Sequence, residues 1–192
     1  ETYAGVTVYM TRNDNTSPNT DREQRAKFAA EKGANVLVSI HINSYGKGYT
    51  SAHGAEVYYP NSNYNSTVSG QGQNLSAVIL KQLTALGLAD RGIKIKNSKD
   101  GETYPDGSLA DYLGINKYAK LYGYPGILIE HAYANNVSDA ANYLTTDAQL
   151  QRLGVADATG IAQYFGLQKK KNVSLYGICK QETVEGISAA LS

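Results

Sequence analysis

Two polar residues stand at the ends of apolar segments, where their side chains could act together in a hydrolysis. His41 follows the apolar run of residues 36–40, and Glu130 follows that of residues 126–129. An imidazole can hold a metal ion, and a carboxylate can take a proton from metal-bound water. An acid at the end of a buried strand can belong to a functional site, or it can turn into solvent. If it does neither, its burial costs free energy. The pair is therefore a candidate for hydrolytic chemistry.

Three further polar residues are candidate partners of this pair. His53 and His131 are possible substitute ligands, but neither belongs to a compact metal motif such as H-E-x-x-H, and a lone histidine is more often structural. Successive residues of a strand point to opposite faces, so we expect His131 to face away from Glu130. Asn43 could orient a ligand or substrate, although asparagine here also commonly forms a turn.

The elements before His41 indicate how it is positioned. Residues 6–10 are rich in β-branched and aromatic side chains and predict a strand. Thr20 and Glu23 fit a capping box, which predicts a helix that ends near Gly33. The order strand, helix, strand is typical of an α/β sheet, in which ligands collect beyond the carboxyl ends of the strands.

The rest of the chain extends this pattern. Residues 54–59 predict a strand, residues 75–87 an amphipathic helix, and residues 147–166 a closing helix. Residues 89–125 are the least regular stretch, and within them residues 91–94 predict a surface turn. The predicted fold class is α/β: a mixed, mostly parallel sheet flanked by helices on both faces.

Composition excludes several classes of function. The 192 residues are 42% hydrophobic and 18% charged, and no run approaches the roughly 18 apolar residues of a membrane helix, so no membrane partner is predicted. A net charge of +1 argues against a nucleic-acid partner, because such proteins must neutralise many phosphates. The single cysteine, Cys179, excludes an internal disulfide and a multi-cysteine zinc site.

Five sequence blocks follow one another along residues 3–166. They are residues 8–12, Arg25 with residues 33–35, residues 39–43, residues 54–59, and residues 127–133 with Asn135, Asn136 and Asp139. Each block is ordinary by itself. In this order and spacing they resemble the zinc-dependent N-acetylmuramoyl-L-alanine amidase family, which implies an amidase/phosphorylase-like fold.

The resemblance implies a role for each member of the candidate pair. His41 would be a zinc ligand and Glu130 the catalytic acid or base. The family hydrolyses the amide between the lactyl group of N-acetylmuramic acid and the L-alanine that begins the peptidoglycan stem peptide. The expected cofactor is Zn²⁺, the expected partner is peptidoglycan, and the expected location is the cell wall, for a secreted autolysin or a phage endolysin.

One part of the family pattern is missing from the sequence. The family's first block, a Gly-His-Gly type turn with the first histidine ligand and then a glutamate ligand, would precede Glu1. Catalytic zinc takes three protein ligands, and this sequence supplies one. We expect the block in a preceding segment, and the alternative is a non-catalytic wall-binding or regulatory module that keeps the fold. Residues 1–167 are expected to form the amidase domain, and residues 168–192 a linker and the start of a further segment.

Overall fold

A computed structural model describes residues 3–14, 16 and 20–170. The chain divides into a larger unit, Thr7–Gly166, and a smaller one, Glu1–Val6 with Leu167–Ser192. In the smaller unit Tyr3 and Lys169 form an antiparallel bridge, next to a 2.9 Å hydrogen bond from the Ala4 amide to the Gln168 carbonyl oxygen. Most of the segment expected to be a linker, residues 171–192, lies outside the described residues.

The described part of the larger unit contains four strands and five helices. In chain order they are α1 (Arg22–Glu31), β1 (Leu37–Asn43), β2 (Ala55–Tyr58), α2 (Ser66–Ala85), β3 (Asp90–Lys94), α3 (Gly114–Leu121), β4 (Gly126–Tyr133), α4 (Val137–Asp139) and α5 (Asp147–Phe165). A π-helical turn, Ala140–Leu144, continues α4. No helix in the described ranges is long and apolar enough to cross a membrane.

The strands form one sheet in the order β1-β4-β2-β3. The pairs β1/β4 and β2/β3 are parallel, whereas β4 and β2 are antiparallel. The prediction of a mixed, mostly parallel sheet is therefore confirmed. The parallel pairing of β1 with β4 matters most for function. It places His41 and Glu130, which are far apart in the sequence, side by side.

The two faces of β4 are covered by different helices. Ile127 and Ile129 are fully buried in the main core with apolar side chains of α2 and α5. On the opposite face, Gly126 lies so close to α3 that a Cβ atom there would be 2.3 Å from the Ile115 carbonyl oxygen. Helix α1 packs beside α3 through a smaller cluster that includes Ala29 and Ala119. Helices therefore cover both faces, as predicted, and the side chain of Glu130 shares the α3 face.

A buried polar cluster ties α3 to the irregular loops around it. Lys120 is fully buried, and its Nζ atom lies 2.9 Å from Oδ2 of Asp111 and donates to Oδ1 of Asn61 at 2.7 Å. The Tyr104 hydroxyl donates to the same Asp111 oxygen at 2.5 Å. Because each buried charge has a partner, the cluster avoids the free-energy cost of an unpaired ion. It thereby fixes the long loop between β3 and α3.

Two predicted elements differ from the structure. Residues 6–10 form no strand: Val8 and Met10 are 72% and 62% exposed, and no strand pairs with this segment in the described residues. A strand without a partner leaves its backbone groups without sheet hydrogen bonds, so β propensity alone does not form one. Conversely, the turn predicted at residues 91–94 is wrong, because these residues lie in β3.

Helical boundaries also differ in detail. The first helix is capped by Asp21, whose side chain accepts from the Gln24 amide, and not by Thr20. The sequence does not predict helix α3, which is only 8 residues long and has two polar residues, Asn116 and Lys120, among its buried ones. Apolar periodicity, the main sequence indicator of a helix, identifies helices of about 10–12 residues or more, and this segment is shorter.

The close packing of α2 against α5 gives a test of the fold with a matched pair of glycines. A Cβ at Gly160 would be 2.7 Å from the Ile79 Cα atom, whereas a Cβ at Gly154 of the same helix would meet no atom within 4 Å. We expect Gly160→Ala to lower the free energy of unfolding by about 1–3 kcal/mol. Gly154→Ala should raise it by about 0.5–1 kcal/mol, because alanine is the better helix former. Urea unfolding measures both, and equal effects of the two changes would contradict this packing.

Candidate active site

Three side chains from three adjacent strands form a row across the sheet. His41 of β1 and Glu56 of β2 are both register partners of Glu130 on the central strand β4. Directly paired residues project from the same face, and neighbouring strands are about 4.8 Å apart. The structure therefore brings together the two residues singled out in the sequence and adds Glu56. The same feature that identified Glu130, an acid within an apolar strand, could have identified Glu56.

The carboxylate of Glu130 lacks the partners that a buried acid normally has. Its Oε2 atom is buried and has no hydrogen-bond partner among the described residues. Burial, together with the negative charge of Glu56, raises the pKa of Glu130 to about 7, although His131 and Lys96 oppose the shift. At neutral pH this carboxyl group can therefore both accept and release a proton.

Glu56 is held in the opposite state. It is 4% exposed and accepts four hydrogen bonds. The donors are Asn43 Nδ2 (3.2 Å) and the Tyr58 hydroxyl (2.8 Å) to Oε1, and Arg91 Nε (3.0 Å) and Lys94 Nζ (2.5 Å) to Oε2. Burial alone would raise the pKa of Glu56, but the hydrogen bonds from Lys94, Tyr58 and Arg91 outweigh it and lower the pKa. Glu56 is thus a permanent anion beside a carboxyl group that titrates, a separation of roles typical of acid–base sites.

His41 is the third member of the row and lies at its exposed end. Its Nε2 atom is 3.0 Å from the Ser39 hydroxyl. Partial burial lowers the pKa of His41, and the positive charges of Arg25 and Arg22 lower it further. The imidazole is therefore neutral at physiological pH, which is the form that binds metals.

The other candidate residues occupy different positions. His131 is 2% exposed and turns to the opposite face, as the strand alternation predicts, where its Nε2 atom lies 2.8 Å from Oδ2 of Asp157 on α5. His53 lies in the loop before β2, with Nδ1 2.9 Å from the Ser51 carbonyl oxygen, and does not join the row. Asn43 contacts the row through its hydrogen bond to Glu56.

The donor atoms of this region do not complete a zinc site. Within the described residues, no group of three or more His, Cys, Asp or Glu side chains is arranged to hold a metal ion. The row offers the imidazole of His41 and the free oxygen of Glu130, while both oxygens of Glu56 already accept hydrogen bonds. A catalytic zinc normally has three protein ligands, so these residues supply part of a ligand set.

Known structures share this architecture. Cwp6 from Clostridium difficile is 27% identical, with a TM-score of 0.65 over 83% of this chain, which spans only 22% of the Cwp6 chain. The catalytic domain of CwlV, an N-acetylmuramoyl-L-alanine amidase from Bacillus (Paenibacillus) polymyxa var. colistinus, is also 27% identical, with a TM-score of 0.63 over 86% of this chain and 76% of its own.

A third structure supports the fold alone. The N-acetylmuramyl-L-alanine amidase Ami1 from Mycobacterium smegmatis is 22% identical, with a TM-score of 0.64 over 82% of this chain and 66% of its own. No curated protein sequence matches the chain. The family model described as N-acetylmuramoyl-L-alanine amidase (Amidase_3) matches residues 2–163, which is most of the chain. This chain therefore belongs to the N-acetylmuramoyl-L-alanine amidase family.

Proposed function

We propose that the protein hydrolyses the amide bond between N-acetylmuramic acid and L-alanine in peptidoglycan. Family membership supports the reaction class. The observation that carries the proposal is the state of Glu130, a carboxyl group with a free buried oxygen and a pKa of about 7, in register with His41. A general acid–base catalyst works best when its pKa lies near the pH of the reaction.

Glu130 is assigned both proton transfers of the hydrolysis. In the first, its carboxylate takes a proton from the water that attacks the amide carbonyl carbon. In the second, the carboxyl group gives this proton to the nitrogen of L-alanine as the carbon–nitrogen bond breaks. The products are the carboxylate of the lactyl group and a free amino group on the peptide, so the reaction consumes one water. Burial, together with the negative charge of Glu56, raises the pKa of Glu130 and so keeps it basic enough for the first transfer.

The family is generally zinc-dependent, and we propose His41 as one ligand of that metal. Zinc in such enzymes polarises the scissile carbonyl and lowers the pKa of a bound water. The neutral state of His41 supports its assignment. Since the described residues supply only part of a ligand set, no step of the proposed mechanism is assigned to the metal.

The setting of the reaction follows from its substrate. Peptidoglycan amidases act on the cell wall, and we propose that this protein reaches the wall by secretion, as an autolysin, or during lysis, as a phage endolysin. We further propose that residues 1–167 form the amidase domain and that residues 168–192 are a linker and the start of a further segment.

A second function is favoured by one observation, the incomplete set of metal-binding side chains in the described residues. The chain could bind the cell wall, or regulate another hydrolase, without cleaving the amide. The two functions differ in a direct measurement. An amidase creates new N-terminal alanines in purified peptidoglycan when zinc is supplied, whereas a binding module co-sediments with peptidoglycan and creates none.

The role of Glu130 is tested by Glu130→Gln, which keeps the shape of the side chain but cannot accept the proton. We expect the release of N-terminal alanine from peptidoglycan to fall by a factor of about 10² to 10⁴. Glu31→Gln is the control, because Glu31 is an exposed acid at the end of α1. Activity within threefold of the unmodified protein in Glu130→Gln would rule out the assigned role.

A separate prediction distinguishes a ligand from a base. We expect His41→Ala to weaken zinc binding at least tenfold, because it removes the only metal-binding atom proposed for β1. Glu130→Gln should leave the zinc affinity within about twofold, since Glu130 is assigned to proton transfer. Zinc affinity is measured by competition with a chelating dye. An equal loss of affinity in both variants would show that Glu130 is a ligand.

A further inference from the structure

Two cations of β3 are held side by side by one buried acid. Arg91 Nε and Lys94 Nζ contact the same oxygen of Glu56, Oε2, at 3.0 and 2.5 Å. The Glu56 side chain is only 5% exposed, whereas those of Arg91 and Lys94 are 32% and 35% exposed. The acid is therefore inaccessible, while both cations can be reached from solvent.

The backbone of β3 departs from regular geometry in a way that brings these cations together. Residues three apart on a regular strand point to opposite faces. Between Arg91 and Lys94 lies Gly92, with a φ of +86°, and the β2/β3 register shifts at this place. Glycine adopts such a φ without strain, and an extra residue of this kind re-aims the side chains that follow. Both cations consequently reach Glu56 on the face that carries Glu130.

Arg91 is also fixed from the side of β4. Its guanidinium carbon lies 5.0 Å from the ring centre of Tyr133. The register of β1 and β4 shifts between the pairs His41/Glu130 and Asn43/Tyr133, which places Tyr133 next to the row. Only Nε of the guanidinium has a hydrogen-bond partner in the described ranges. The terminal N–H groups, which form the fork that matches a carboxylate, are therefore available to a ligand.

The charges do not cancel at this place. Glu56 provides one negative charge against the two positive charges of Arg91 and Lys94, and its second oxygen already accepts from Asn43 and Tyr58. It cannot neutralise both cations, so Glu56, Arg91 and Lys94 together carry one excess positive charge. Glu130, which is in register with Glu56, opposes this charge only to the extent that it is ionised. A rigid, partly exposed pair of cations with one excess charge is suited to a single carboxylate.

The spacing from the reacting group fits a peptide. Strand β3 is two strands from β4, which is about 10 Å across the sheet. An extended peptide advances about 3.3–3.6 Å per residue, so a carboxylate on the second stem residue lies about 7 Å from the scissile amide. The side chains of Arg91 and Lys94 reach from β3 back to Glu56 on β2, which shortens the remaining distance. A substrate whose amide lies at Glu130 therefore brings this carboxylate near the two cations.

We propose that Arg91 and Lys94 bind a free carboxylate on the stem-peptide residue that follows L-alanine, and so determine specificity for the unamidated peptide. This inference rests on the proposed amidase function, because that function sets where the scissile amide lies. Glu56 and Tyr133 are positioning residues in this subsite: they hold the cations but do not contact the carboxylate.

Two probes that differ in one group test the proposal. N-acetylmuramoyl-L-alanyl-γ-D-glutamyl-L-lysine has a free α-carboxylate on its second residue, where the matching D-isoglutaminyl-L-lysine peptide has an uncharged amide. In both probes the γ-carboxyl group of this residue is bonded to lysine, so the α-position is the one difference. Binding of each is measured by calorimetry at pH 7.5 with the full chain carrying Glu130→Gln, so that no turnover occurs. Amide hydrolysis by the unmodified protein is measured separately, with zinc supplied. Affinity and catalysis are thus scored independently.

We expect the glutamate probe to bind about tenfold more tightly than the isoglutamine probe, the size of one charge-assisted hydrogen-bonded contact. Arg91→Gln and Lys94→Gln, each added to the Glu130→Gln chain, should reduce this preference to less than about threefold. Arg91→Lys should retain part of it, because the charge remains but the fork is lost. Lys99→Gln, which changes an exposed lysine of the β3–α3 loop, should retain the full preference. Thermal unfolding checks that each variant is folded.

Several results would overturn the subsite. These are equal affinity for the two probes before Arg91 or Lys94 is changed, a preference that survives both changes, and no saturable binding of either probe. A tenfold preference without amide hydrolysis by the unmodified protein would support the subsite and count against the proposed amidase function. Failure of one proposal is thereby distinguished from failure of the other.

Discussion

A single buried carboxylate, that of Glu56, organises the charges on the face of the sheet that carries Glu130. Its negative charge helps to keep Glu130 protonatable near neutral pH, and its oxygens hold Arg91 and Lys94 in place. Such a buried ion would be costly without its four hydrogen bonds, which is why the acid and its cations are interdependent. The positions of the two cations follow from this one ion, and its charge adds to burial in raising the pKa of Glu130.

The rest of the fold holds this face rigid. The apolar core formed with α2 and α5 lies on the opposite side of β4, so the residues that stabilise the sheet are separate from those proposed for catalysis. On the face that carries Glu130, Asn116 of α3 donates to the Gly126 carbonyl oxygen at 2.7 Å, which ties the helix to the start of β4. The buried Lys120 cluster then secures the long loop that follows β3. The side chains at the carboxyl end of β4 are buried, and only Glu130 within this strand is partly exposed.

The sequence predicts those parts of the fold that local pattern determines. The segments that form β1, β2 and β4 are apolar enough to be recognised, and so are helices α2 and α5 with their periodic leucines and isoleucines. The pairing of His41 with Glu130 could be predicted because each follows an apolar run within its strand. These features depend on short stretches of chain, so they can be identified without knowledge of the tertiary structure.

The parts that could not be predicted depend on contacts between distant residues. Strand β3 contains Gly92 and three charged residues, which by themselves indicate a turn, and it is a strand only because β2 pairs with it. The ion pairs of Glu56 join positions 35 and 38 residues apart, beyond any local pattern. Residues 6–10 show the converse, since a segment with high β propensity forms no strand where no partner is described.

The central claim is that Glu130 and Glu56 lie side by side in different protonation states. Carbon-13 NMR titration of the glutamate side-chain carboxyl groups tests it most directly, with Glu130→Gln and Glu56→Gln used to assign the two signals. We expect one signal to titrate near pH 7 and to vanish in Glu130→Gln, and the signal of Glu56 to titrate below its ordinary pKa of 4.5. If Glu130 titrated near 4.5 like an exposed glutamate, its assignment as a proton shuttle poised by Glu56 would be wrong.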